Sequence, residues 1–253
     1  MKKFTFFLIL LLINHLSCNS QEIINKSGLV TNEAIQQIQT LGIDDIMNFQ
    51  ALNQGFSNYA LIHQTGNQNN TSISQQSYAG SSMNNKSYIV QTGTSNELTV
   101  GQVGTGNLLL GIQIGGEGNK ISISQNGISN GVSAVQLGSY NTITAEQKGQ
   151  NNYLSALQNG TNNSVTNYKQ ENESEQVLFD RIIQIGDNLS ITTDGVANST
   201  PAVNKFTQTG TNLSFQLSTS LLNTGTGVEI NQIGHDMKVV VDQSYFSFPL
   251  GKP

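Results

Sequence analysis

Side-chain amides recur at a fixed spacing through the middle of this chain, and the chemistry of an amide is hydrogen bonding in two directions. Glutamines stand eleven residues apart, with one step of twelve: Gln91, Gln102, Gln113, Gln125, Gln136, Gln147 and Gln158. An asparagine follows each of the first six: Asn96, Asn107, Asn119, Asn130, Asn141 and Asn152. The same spacing begins earlier, with Gln64, Asn69 and Gln75. Repetition at a fixed period indicates stacked structural units.

These amides predict hydrogen-bonded ladders inside a stack. A buried amide without partners costs about 1–3 kcal/mol, but equivalent amides in neighbouring units can bond to one another, as in cross-β assemblies. We therefore expect the repeated Gln and Asn side chains to point inward. An uncapped stack would leave strand edges and half-filled ladders at its two ends, which another copy of the chain can join. The pattern thus predicts self-assembly.

Glycines mark the turns of the repeat. One stands two residues after most of the glutamines: Gly66, Gly93, Gly104, Gly127, Gly138, Gly149 and Gly160. Glycine adopts a positive φ without the steric penalty of other residues. The Gln-x-Gly-x-x-Asn segment is therefore predicted to be a turn.

The five residues between each asparagine and the next glutamine alternate in character, which is typical of a strand. Ile121 and Ile123, for example, share the inward parity of the amides, whereas Ser122, Thr144 and Ser155 are expected to face outward. The sequence predicts an all-β fold, a parallel stacked β-solenoid of strand-turn-strand coils. Each half-coil takes about eleven residues, and roughly sixteen units would form eight coils.

Other reactive side chains form no catalytic or metal-binding pattern. His63 and His235 are isolated from ligand-type residues. The segment 115–119 resembles a calcium-binding glycine-rich repeat, but it occurs once and lacks the repeated aspartate. A carbohydrate-cleaving β-helix would need acids clustered on one face, and none is seen in the sequence. We therefore expect no enzymatic activity, no cofactor and no metal.

Composition favours ordered β-stacking. The chain of 253 residues has a net charge of −5, 11% charged residues and three prolines, whereas disordered chains are usually charged and rich in proline. Its eleven Lys and Arg residues are scattered, so nucleic acid is not an expected partner.

The first twenty residues are predicted to be a secretion signal. Lys2 and Lys3 precede an apolar run, 4–13, that is too short to span a bilayer. Small residues allow cleavage before Gln21. Alternatively, Leu16-Ser17-Cys18 is a partial lipobox, with a lipid anchor at Cys18. Both interpretations predict export to the cell surface.

The rest of the chain divides according to the repeat. Residues 21–52 lack it and are interpreted as a leader or cap, or as an address for a secretion pore. The regular repeats, 53–169, are followed by an acidic insertion, 170–183, and by degenerate repeats, 184–243. The aromatic end, 244–253, is interpreted as a C-terminal cap or a segment that docks on a partner.

Single charges are expected on outward positions of the repeat: Lys86, Glu97, Lys120, Glu146 and Lys148. Identical charges in register would repel and slow lateral aggregation. Alternatively, these charges would only keep the chain soluble.

The unit Gln-x-Gly-x-x-Asn-x5-Gln behind a secretion signal resembles the curlin repeat of curli fibre subunits. The resemblance covers 53–163 closely and 184–243 loosely. It implies a functional amyloid of the bacterial biofilm matrix, exported through an outer-membrane pore and polymerised at the surface with copies of itself and other curlin subunits. This chain departs from the pattern in its number of units, its glutamates after Gln170 and its degenerate C-terminal repeats. Its role as bulk subunit, nucleator or terminator stays open.

The alternative is a soluble β-solenoid with capped ends, acting as a surface adhesin or binding module. An ice-binding solenoid would present a flat outward rank of Thr-x-Thr. The outward positions of this repeat hold mixed Lys, Ser, Thr, Tyr and Glu instead.

Overall fold

The computed structural model describes residues 58–79, 83–173, 175, 177–193, 196–197, 203–219 and 229–243. The predictions for the secretion signal, the leader and the C-terminal cap lie outside these residues. Within them, every regular element is a β-strand. The described part of the chain contains no helix long and apolar enough to cross a membrane.

Consecutive strands alternate between two sheets. The first sheet contains β1 (Tyr59–Asn67), β3 (Lys86–Thr94), β5 (Leu108–Ile114), β7 (Gly131–Ser139), β9 (Asn152–Thr161), β11 (Leu178–Asp187), β14 (Val203–Thr211) and β16 (Glu229–His235). The second contains β2 (Asn70–Gln76), β4 (Glu97–Thr105), β6 (Lys120–Ile128), β8 (Thr142–Gln150), β10 (Ser164–Asn172), β12 (Ser190–Thr193), β15 (Ser214–Thr219) and β17 (Lys238–Gln243). The two-residue β13 (Val196–Ala197) also pairs with β10. Each coil contributes one strand to each sheet, and the sixth coil adds β13 to the second sheet.

All strand pairs are parallel and place equivalent repeat positions opposite each other. Gln102 lies opposite Gln125 between β4 and β6, and Gln136 lies opposite Gln158 between β7 and β9. The parallel stacked β-solenoid predicted from the eleven-residue period is confirmed. The eight strands of the first sheet define eight described coils.

Apolar side chains between the two sheets form a continuous core. Leu98, Ile121 and Ile143 occupy one rank in the second sheet and are 0% exposed. The later coils fill the same space with aromatic rings. Phe206 and Phe215 stack with their centroids 5.0 Å apart. Period-two alternation therefore places one face of each sheet in the core.

The strands are longer than the sequence indicated, and the turns are shorter. β4 runs from Glu97 to Thr105 and includes Gly104, which was predicted to lie in a turn. The corner is the residue pair before the next strand. Its first member takes a positive φ, as at Ser129 (57°) and Tyr140 (57°). The inserted residue near Gly116 enlarges one such corner.

The acidic insertion is smaller than predicted. β10 extends to Asn172 and β11 begins at Leu178, so the 170–183 segment consists largely of strand. The register of β10 shifts between Val165 and Tyr168, where Asn167 has a φ of 55°. This bulge absorbs the extra residue after Asn163 and returns Gln170 to its place opposite Gln147.

The outer faces of the two sheets differ in character. The outward positions of the second sheet are polar and largely solvent-accessible, as at Thr99, Ser124 and Glu146. Those of the first sheet are mostly apolar and buried, including Val90, Ile112 and Val135. Ser155 lies at an outward position of its strand, as predicted, but its side chain is buried and the residue is only 5% exposed. Substitutions on the outer face of the first sheet are therefore not expected to be neutral.

Candidate self-assembly ladders

The first sheet carries one uninterrupted glutamine ladder through all eight described coils. In each step, the Nε2 of one glutamine donates to the Oε1 of the next. The donor–acceptor distances are Gln64–Gln91 2.5 Å, Gln91–Gln113 2.7 Å, Gln113–Gln136 2.9 Å, Gln136–Gln158 2.9 Å, Gln158–Gln184 2.7 Å, Gln184–Gln208 2.8 Å and Gln208–Gln232 2.9 Å. The ladder extends beyond the predicted Gln158 because the degenerate repeats keep this glutamine.

A second ladder runs along the second sheet in the same direction. Its distances are Gln75–Gln102 2.7 Å, Gln102–Gln125 2.7 Å, Gln125–Gln147 2.8 Å and Gln147–Gln170 2.7 Å. Gln170 was assigned to the acidic insertion in the sequence, yet it completes this ladder. The phase slip at Asn167 concealed its position.

The second hydrogen of each amide joins the two sheets. Gln125 in the second sheet donates to the backbone carbonyl of Leu108 in the first, at 3.2 Å. Gln136 in the first sheet donates to the carbonyl of Lys120 in the second, at 3.0 Å. Both hydrogens of the amide are thereby satisfied inside the core, which removes the desolvation penalty of an unpaired group.

Two asparagine ladders occupy the corners. One consists of Asn58, Asn85, Asn107, Asn130 and Asn152, and the other of Asn69, Asn96, Asn119, Asn141 and Asn163. The Oδ1 of Asn85 accepts hydrogen bonds from both the backbone nitrogen and the Nδ2 of Asn107, at 3.2 and 3.0 Å. The same Nδ2 donates to the carbonyl of Gly127 at 3.1 Å. Each asparagine therefore fixes the corner of the next coil.

Both asparagine ladders end at the fifth coil. Leu178 stands opposite Asn152, and within the described residues the buried Oδ1 of Asn152 has no hydrogen-bond partner. In the other ladder, the Oδ1 of Asn163 accepts from the backbone nitrogen of Leu189 at 3.0 Å. Only the first glutamine ladder crosses from the regular into the degenerate repeats.

The seven glycines predicted to lie in turns are within strands, where they allow successive coils to approach closely. All seven predicted glycines have a positive φ, between 91° at Gly149 and 136° at Gly127. A Cβ added at Gly127 would lie 1.8 Å from the carbonyl oxygen of Gly149. The sequence predicted the positive φ. The contact between glycine backbones of adjacent coils depends on the register of the stack and could not be predicted without it.

Outward charges of opposite sign pair between coils. Lys120 Nζ lies 3.0 Å from Glu97 Oε2, and Lys148 Nζ lies 2.6 Å from Glu171 Oε1. The hydrogen bond from Lys148 to Glu171 raises the pKa of the lysine. These charges attract within one chain, and the repulsion between identical neighbours that would slow lateral aggregation stays a prediction. Exposed pairs of this kind contribute little to stability.

The two ends of the first glutamine ladder differ. At the beginning of the described stack, Gln64 is exposed and its neighbour Ile62 is 44% exposed. Gln232, in the last described strand of the first sheet, is only 1% exposed. The open first coil presents the edge of β1 and the start of the ladder to solvent.

Within the described residues, no group of three or more His, Cys, Asp or Glu side chains lies close enough to hold a metal ion. No family model, curated protein or solved structure matches the chain in comparisons with known proteins. The resemblance to the curlin repeat therefore depends on the repeat motif itself. The β-solenoid fold is consistent with a structural or adhesin-like protein.

Proposed function

We propose that this chain is a secreted structural subunit that assembles end to end into extracellular, curli-type amyloid fibres. The observation that carries the proposal is the first glutamine ladder, unbroken from Gln64 to Gln232. Every step has the same direction, so one end of the ladder offers an acceptor and the other a donor. A second copy stacked in the same orientation extends both the ladder and the parallel sheets.

The exposed first coil supports this mode of assembly. β1 pairs with β3 on one side, and its side chains are mostly accessible to solvent. An accessible strand edge whose amides match those of another copy is a template for pairing. The proposed partners are copies of this chain and other curlin-type subunits.

The sequence supports the proposed location and role of the fibre. The charged and apolar start of the chain favours export, and the curlin-type repeat favours an outer-membrane secretion pore as a further partner. The fibres would mediate adhesion and aggregation in a biofilm matrix. A lipid anchor at Cys18 would instead hold the chain at the cell surface.

Polymerisation of the purified protein from residue 21 onward, incubated without denaturant, tests the proposal. We expect thioflavin fluorescence to rise after a lag, unbranched fibres by electron microscopy, and a shorter lag when fragments of these fibres are added. A β-rich species that stays monomeric by sedimentation over the same period would contradict end-to-end assembly.

The second candidate is a soluble solenoid adhesin or binding module with capped ends. The low exposure of Gln232 favours it, because a shielded ladder end cannot accept another copy. This candidate predicts the monomeric outcome of the polymerisation experiment.

A further inference from the structure

A buried carboxylate interrupts the core of the sixth coil. Asp180 in β11 occupies the rank that Leu154 fills in β9 and is 0% exposed. Acidic side chains are almost never fully buried unless they are paired. The amide ladders give this acid no role in the repeat, because the equivalent positions of the third, fourth and fifth coils are apolar, and the second coil has the neutral hydroxyl of Ser87 there.

Neutral hydrogen-bond donors surround the carboxylate. Its Oδ2 accepts from the hydroxyl of Tyr168 at 2.5 Å and from Nε2 of Gln170 at 2.7 Å. Its Oδ1 accepts from Nδ2 of Asn204 at 2.7 Å and from the backbone nitrogen of the same residue at 3.3 Å. Asp180 thus connects the fifth, sixth and seventh coils through its side chain.

The contact with Gln170 explains where the second glutamine ladder ends. The residue opposite Gln170 in the next coil is Val196, which offers no side-chain amide. The Nε2 of Gln170, which would donate to a glutamine in a regular coil, donates to Asp180 instead. The carboxylate takes the place of the missing acceptor.

No described cation contacts this carboxylate. Tyr168 is the titratable group that faces it, from β10. The other titratable side chains of the strands beside it lie on the outer faces or are exposed: Tyr153 of β9, Lys169 and Glu171 of β10, Arg181 and Asp187 of β11, and Lys205 of β14. β12 has no titratable side chain. Among the described residues, the groups that stabilise the charge of Asp180 are therefore neutral hydrogen-bond donors.

We propose that Asp180 is a buried acid cap, which ends the second glutamine ladder and makes the coil stack more stable in mildly acidic than in neutral solution. Protonation removes the buried charge. The proton on Oδ2 can be accepted by the Tyr168 oxygen, because a phenol hydroxyl both donates and accepts.

The pKa of the acid agrees with this geometry. Burial raises the pKa of Asp180 from its ordinary 3.8 to about 6, against the hydrogen bonds from Tyr168, Gln170 and Asn204, which lower it. A raised folded-state pKa means that the folded chain binds the proton more tightly than the unfolded chain. The resulting stabilisation is complete below the unfolded pKa and is lost as the pH rises through the folded one.

Denaturant unfolding of the purified protein across the pH range measures this effect. Between about pH 8 and pH 4, Asp180 should raise the folded-to-unfolded ratio on the order of 50-fold relative to Asp180→Asn, as a difference in pKa between 3.8 and about 6 requires. Asp187→Asn, an exposed acid on the same strand, is the matched control and should leave the pH dependence as in the unsubstituted chain.

A second variant and a direct measurement cover the case in which Asp180→Asn does not fold. Asp180→Leu restores the apolar residue found at Leu154 and should also abolish the extra acid stabilisation. Isotope-edited infrared spectroscopy of the unsubstituted protein should show the protonated carboxyl band of Asp180 with a midpoint near pH 6. Equal pH dependence in the unsubstituted protein and in a folded Asp180 variant would overturn the inference, as would a midpoint near 3.8. These experiments use single chains, so their outcome is independent of fibre formation.

Discussion

The buried amides contribute to this fold only in combination, because each needs the equivalent amide of the next coil as its partner. Gln125, for instance, accepts from Gln102 and donates to Gln147 and to a backbone carbonyl. A typical intramolecular hydrogen bond contributes about 1 kcal/mol, whereas an orphaned buried group costs about 1–3 kcal/mol. Removing one amide therefore harms both neighbours more than the loss of its own bonds suggests.

Replacing Gln102, Gln125 and Gln147 together by alanine tests the inward amides. The change removes three consecutive members of the second ladder, and it takes one partner from each flanking amide and from three backbone carbonyls. We expect the free energy of unfolding to fall by roughly 3 kcal/mol or more and fibre formation to slow strongly. Denaturant unfolding and thioflavin kinetics are the measurements.

The matched control replaces outward polar residues on the same three strands, Thr99, Ser122 and Thr144, by alanine. These side chains are at least partly accessible on the outer face of the second sheet, so the expected change in unfolding free energy is within about 1 kcal/mol. Ser155 is unsuitable for this control because it is buried. Equal effects of the two triple substitutions would contradict the role of the amides.

Gly127→Ala tests the close approach of adjacent coils. The new methyl group would meet the carbonyl oxygen of Gly149 at 1.8 Å, at a φ of 136°. We expect a loss of about 2 kcal/mol or more in the free energy of unfolding. Gly101→Ala is the control, since no atom lies within 4 Å of its added Cβ, and it should change stability by less than about 1 kcal/mol. Thermal unfolding measures the stability of both variants. Equal stability of Gly127→Ala and Gly101→Ala would contradict the role of the close contact between coils.

The sequence was sufficient to predict where strands occur and which face is buried, but not where each strand begins and ends. Alternation around Ile121 and Ile123 was sufficient to assign a strand and its inward face, because a period of two is characteristic of a strand with one buried face. The strands nevertheless extend through residues such as Gly104, since a positive φ within a parallel stack does not break the backbone ladder. The bulge at Asn167 was not predictable, because one extra residue can be absorbed at any of several positions.

The charged positions of neighbouring strands are coupled through the register. Glu97 lies opposite Lys120, and their side chains are 44% and 48% exposed. Glu97→Lys would place two lysines opposite each other and lower the free energy of unfolding by up to about 1 kcal/mol at low salt. The double swap Glu97→Lys with Lys120→Glu should recover most of that loss, and high salt should reduce both effects. A double swap as unstable as the single variant would mean that the pair makes no net contribution.

Considered as one molecule, the stack has a regular and a degenerate part that share a single ladder. Four amide ladders run through the first five coils, whereas the first glutamine ladder alone continues to Gln232. Leu178 and Leu189 stand where the corner asparagines end, and aromatic rings fill the later core. The number of coils was predictable from the spacing of Gln184, Gln208 and Gln232. The ends of the other ladders and the burial of Asp180 were not predictable, because they depend on contacts between residues distant in sequence.

Fibre diffraction from aligned samples of the purified protein, from residue 21 onward, tests the proposed assembly most directly. End-to-end stacking of parallel coils predicts a sharp reflection at about 4.8 Å along the fibre axis and a broader one at about 10 Å across it. Continuity of the ladders between copies predicts that the 4.8 Å spacing is coherent over lengths well beyond the eight coils of one chain. Samples without these reflections, or with a coherence length limited to one chain, would contradict assembly through the ladders.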